Sequence, residues 1–301
     1  YWSIPPDFGE GSITRLRLQG DAQPEVFRGP STGHGCVGCH RPSPDGRYVV
    51  VGSSSFSRKF EFVEVSTGNV VSSLEAGDVG TPSWRPDVNS DPRYQYVFSN
   101  GGDLYVGSLF ESSTRPLAGA TEPDVLESQP SWGPNGRIAF IKTLDSDSEW
   151  GSAGMFVVDE DGGPPQALMS QTVNLQAFIL QFLAFSPNGK WVAYSFWDFS
   201  NWDNNFWNSN IRLLATDGSG TERLLPLLNR PDSRESYPTW SLDGRYLSFS
   251  SDRPGGQGGY DIYLAEIDPE AGVEEEPRSL DDFGFGLINT PGFDHGAEWS
   301  P

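Results

Sequence analysis

The amino-acid sequence predicts an all-β protein: a single-domain, six-bladed β-propeller spanning residues 1–301, its last blade closed by strands from both termini. Three observations carry this. A turn-and-strand motif recurs along the chain, the composition is rich in aromatics (13%), glycine (35) and proline (24), and the final motif breaks off after its turn. Many short strands joined by tight turns need that composition, whereas helices do not. The longest strongly apolar run, residues 175–185, is too short to span a bilayer as a helix.

The recurring motif is an aromatic residue, one further residue, a proline, a polar turn and an apolar strand. It appears as RPSPDGRYVVV from Arg41, SWRPD from Ser83, SWGPNGRIAFI from Ser131 and FSPNGKWVAYS from Phe185. TWSLDGRYLSFSS from Thr239 and the terminal EWSP complete the set. Asp-Gly and Asn-Gly supply the positive backbone angles of a tight turn, and the alternation after them buries one face of a strand. Each of the first five motifs is followed by a second pair of strands, beginning at FEFVEV, GDLYVG, GMFVVD, NIRLLA and YDIYLA. Four strands per repeat make a propeller blade. The sixth copy has no room for three more, and YWSI, GSITRLRL and PEVF at the N-terminus are the expected replacements. Residues 1–28 are thus expected to pair with 297–301, leaving no free edge.

These motifs resemble the TolB-like propellers, whose repeats carry an aromatic-S-P-D-G-(K/R) signature. SPDGRYVVV, FSPNGKWVAYS and TWSLDGRYLSFSSDR match it closely, and the resemblance covers essentially the whole chain. It implies the fold and little more, because such propellers serve as docking platforms, lids and catalytic scaffolds alike.

The first copy departs from the others. The only two cysteines, Cys36 and Cys39, precede His40 in a C-x-x-C-H sequence at the start of an innermost strand. Two thiols at that spacing reach the two vinyl groups on one porphyrin edge, while the adjacent imidazole reaches the iron. One covalent haem c, held by Cys36 and Cys39 with His40 as proximal ligand, is therefore expected. A disulfide or redox pair, and a zinc site completed by His34 or His295, are the alternatives. A more distant resemblance is to the α-subunit of hydrazine synthase, a propeller-containing chain with a haem-attachment motif. It implies a motif histidine on zinc and a tyrosine on the iron, and no residue here matches that ligation.

Candidates for the sixth iron position are His34, His295, Met155 and Met169. The methionines fall in outer strands and are expected to pack. His295 stands four residues before Trp299, as Gly38 stands four before Pro42, which places it at the same channel mouth one blade over. It is the expected distal ligand. One position earlier in three blades lie Glu127, Glu235 and Asp294, an acidic channel rim that solvation, or a bound cation, would explain.

Net charge is −21, from 41 acidic and 20 basic residues, which repels phosphate backbones and excludes nucleic acid as a partner. The chain starts at Tyr1 rather than Met, as a mature or partial chain would. The function expected is a c-type cytochrome: an electron-transfer module working with a redox partner, or within a larger membrane or extracellular complex. Haem is attached outside the cytoplasmic membrane, so a periplasmic, extracellular or surface-anchored protein is expected. Two alternatives stay open: a haem enzyme with an open iron site, peroxidase-like or acting on small nitrogen compounds, and a non-haem propeller that docks other proteins.

Overall fold

The computed structural model describes residues 1–4, 11–17, 23–29, 38–52, 59–76, 81–87, 94–144, 151–169, 171–200, 208–257, 259–271, 273–283 and 288–301. They form a β-propeller whose only helical turns are short 3-10 segments such as Pro134–Gly136 and Leu280–Phe283. Among the described residues no helix is long and apolar enough to cross a membrane.

The strands group into six antiparallel sheets. Five are each built from one contiguous stretch of chain. Their innermost strands are Gly38–Pro42, Ser83–Trp84, Glu127–Trp132, Phe178–Phe185 and Glu235–Trp240. The remaining sheet is composite: Phe293–His295 pairs with Trp2–Ile4, which pairs with Ser12–Arg15 and then Glu25–Arg28. Both termini do share a sheet, but the C-terminal partner is 293–295 and not 297–301. Gly296, at φ 57°, turns the chain out of the strand, and the segment after it is irregular.

Side-chain chemistry explains the repeating turn. In SPDG, the Ser43 hydroxyl donates to Asp45 Oδ1 (2.7 Å) and accepts from the Tyr48 amide (3.0 Å), while the Arg47 amide donates to the same carboxylate (3.1 Å). Ser186 with Asn188 and Ser241 with Asp243 repeat this arrangement. Gly46 at φ 69° closes the turn in a conformation that a Cβ disfavours.

Six apolar clusters hold the sheets together, one at each junction between consecutive sheets. Phe62 and Trp84 meet in one, Val97 and Trp132 in the next, then Met155 with Tyr194, and Leu213 with Trp240. The composite sheet joins both neighbours. Trp299 and Tyr1 pack on Ile262 and Leu264, and Ile13 packs on Val49 and Val51. The motif aromatics are therefore wedges between blades, and three of their indoles also find partners: Trp84 Nε1 donates to the Arg41 carbonyl at 2.9 Å, Trp132 to Glu160 and Trp299 to Ser248. Burial of such wedges is worth roughly 1.5–3 kcal/mol each.

Candidate functional site

The innermost strands share a defect that builds the site. Four of the six carry a β-bulge three residues before the wedge position, seen as register shifts between Gly38 and His40, Ser128 and Ser131, Gln181 and Ala184, and Ser236 and Thr239. The bulge residues are Cys39, Gln129, Phe182 and Tyr237, at φ 48°, 54°, 56° and 56°, and Gly296 takes the same conformation in the composite sheet. Thr81 holds the equivalent place before Trp84. A bulge re-aims its side chain. All six residues line one cavity of about 220 Å³ at the channel mouth.

His40, Pro130, Leu183 and Pro238, each one residue further along, complete the wall with His295 and the Arg41–Glu298 ion pair (3.5 Å). Phe182 and Tyr237 stack with ring centroids 3.8 Å apart. The His295 ring lies 5.2 Å from Tyr237 and 4.9 Å from Tyr260. Burial holds His295 down at about 4 and, with the positive charge of the amino terminus and Arg41, keeps His40 well below the ordinary histidine value. Both imidazoles are neutral at pH 7. Burial pushes the Tyr237 phenol upward, and its neighbours Cys39 and Tyr260 push the same way.

The structure thus brings three expected site residues, Cys39, His40 and His295, to one cavity. Cys36 and His34 lie outside the described residues. Met155, in the strand Ser152–Asp159, is fully buried in an inter-blade core and Met169 packs against it as expected, although Met169 lies in a bend after Gln166–Ala167 and not in a strand. Among the described residues no cluster of three or more His, Cys, Asp or Glu could hold a metal ion.

The acidic rim is corrected. Glu127, Glu235 and Asp294 are all 0% exposed, and each braces the loop leading into its strand by accepting a backbone amide. The donors are Glu122 (3.5 Å), Arg230 (3.4 Å) and Thr290 (2.6 Å). Glu235 also takes the Ser233 hydroxyl (2.6 Å) and faces buried Arg253 (3.4 Å). Glu127 has only the one long bond, its Oε2 has no partner, and burial pushes it up to about 7. None of the three lines the cavity at the mouth.

The ring of bulge residues escaped the sequence reading. The six positions are Cys, Thr, Gln, Phe, Tyr and Gly, which share no side-chain chemistry. Only the fixed offset from the wedge residue could have found them.

No protein-family model matches the chain, and no curated protein is similar to it in sequence. Solved structures do share its fold. TolB from Acinetobacter baumannii superposes over 92% of this chain with a TM-score of 0.61 at 18% identity, and this chain spans 65% of that one. Hydrazine synthase from Kuenenia stuttgartiensis matches over 83% of both chains (TM-score 0.50, 16% identity). An oligogalacturonate lyase in complex with manganese matches over 93% of this chain and 72% of its own (TM-score 0.54, 14% identity). These likenesses show a fold that TolB shares.

Proposed function

We propose that the chain is a docking propeller of TolB-like architecture, with the composite sheet as its sixth blade and the channel mouth as its contact face for a protein partner. One observation carries this: four non-glycine residues held at positive φ, Cys39, Gln129, Phe182 and Tyr237, all converge on the mouth. Each such residue costs about 1–3 kcal/mol, and strain of that size gathers where a preformed surface is used. The cavity's 220 Å³ lies below the roughly 300–1,000 Å³ of pockets that enclose drug-sized ligands, so it suits a protruding group of a larger partner. The test is a photo-crosslinker attached at Cys39 in the native host. It should capture one protein species, and the same crosslinker at exposed Leu224 on an outer strand should not. Equal capture from both positions refutes the docking face.

A second reading is favoured by Cys39 and His40 lining the same mouth. In it, Cys36 and Cys39 hold one haem c by thioether bonds, His40 is the proximal and His295 the distal ligand, and the protein passes electrons to a redox partner outside the cytoplasm. The described residues fit the attachment end, since Cys39 is exposed beside His40. The group would supply a one-electron carrier, and the chain's part is to anchor it and limit water around it. Mass and visible spectrum of the chain, made in a host that attaches haem, separate the two readings. A covalent adduct with a haem spectrum establishes this one, and an unmodified mass leaves the docking propeller.

A further inference from the structure

The channel mouth is lined by one guanidinium and one carboxylate, although the molecule carries 41 acidic against 20 basic residues. Its two charged side chains, Arg41 and Glu298, face each other at 3.5 Å. The apolar part of its wall is aromatic and one-sided: Phe182 and Tyr237 stack at 25°, with His295 tilted against the tyrosine. Cys39, Thr81, Gln129 and Gly296 occupy the equivalent positions of the other sheets. The volume, about 220 Å³, exceeds the roughly 150 Å³ of an apolar cavity that takes one benzene, so it suits one or two fused rings. A charged guest would leave water there without a counter-ion, which costs it affinity.

We propose that the channel mouth binds a small uncharged aromatic molecule of one or two fused rings, with its ring against the Phe182–Tyr237 stack. The proposal rests on the mouth being the working face of the docking propeller, and it names a ligand that would compete with a partner there. Ring stacking is worth roughly 0.5–1.5 kcal/mol beyond the area buried.

Calorimetric titration of the native chain with indole, tryptamine and indole-3-acetate tests this. Indole should bind saturably at one site, and the cation and the anion at least ~10-fold more weakly. Phe182→Asn removes the ring while suiting the left-handed backbone of the bulge, and it should weaken indole at least ~10-fold. Leu224→Ala, on an exposed outer strand away from the mouth, should leave binding unchanged. Unfolding midpoints identify any variant that fails to fold. The proposal is overturned if indole shows no saturable binding, if the charged probes bind equally well, or if folded Phe182→Asn binds as the native chain does. Loss of indole binding with crosslinking from Cys39 intact removes this proposal alone. Loss of crosslinking with indole binding intact removes the docking face alone.

Discussion

Glu127→Gln removes the one inner-strand carboxylate that is buried without adequate partners. Glu127 is 0% exposed, and its Oε1 accepts a single 3.5 Å bond from the Glu122 amide. Buried Lys142, the nearest cation, is already paired with Glu122 at 2.6 Å. Desolvation therefore dominates and pushes Glu127 from 4.5 to about 7. The sign follows from proton linkage. Between pH 4.5 and 7 the folded protein keeps a proton that the unfolded chain has released, so stability falls as pH rises through that window and levels off above it. That interval, at ~1.36 kcal/mol per pH unit, sets a ceiling of about 3 kcal/mol. Solvent reaching the loop around Glu122 and Asp103 reduces it to about 1–2 kcal/mol. Urea unfolding followed by tryptophan fluorescence, from pH 4 to 8, measures the difference between native chain and variant. The two should coincide near pH 4, with the variant more stable by about 1–2 kcal/mol at pH 8. Parallel curves across the range would refute the account, because other buried carboxylates such as Glu235 and Glu298 contribute equally to both proteins.

Gly119→Ala should cost at least about 2 kcal/mol, since Gly119 has φ 88° and a Cβ there would overlap the Gly163 carbonyl oxygen; an unchanged melting temperature would contradict the close approach. Cys39→Gly should raise stability by about 0.5–1 kcal/mol while abolishing labelling at the mouth, because glycine adopts the bulge conformation freely. A lower urea midpoint for that variant would show that the bulge is not strained. A chain lacking residues 1–18 loses Trp2–Ile4 and Ser12–Arg15 from the composite sheet and should yield aggregated protein in size-exclusion chromatography. A stable monomer would mean that the N-terminal strands are dispensable for closure.

Much of the fold is legible in the sequence because its signals are local. SPDG, SPNG and SLDG specify their turns through a hydroxyl, a carboxylate or amide, and a glycine within five residues. The wedge aromatics and the alternating strands after them announce where each sheet meets the next. Even the composite sheet follows from counting strands, although its inner strand is Phe293–His295 and not 297–301. Strand pairing ends where Gly296 adopts a positive φ, and any residue in a loop would have read the same way.

The sequence by itself determined the propeller, the sharing of one sheet by both termini, and the placement of Cys39, His40 and His295 at one mouth, since offsets of two to four residues before the wedge position reach the same end of every inner strand. Only the tertiary structure decided what that mouth is made of. Four bulges turn unlike residues toward one axis, and the stacking of Phe182 on Tyr237 joins positions 55 residues apart in the chain. It also decided that Glu127, Glu235 and Asp294 face inter-blade loops. In a strand the direction of a side chain reverses with each residue, so a single inserted residue redirects everything on one side of it. Composition and spacing do not record that insertion, and the folded ring does.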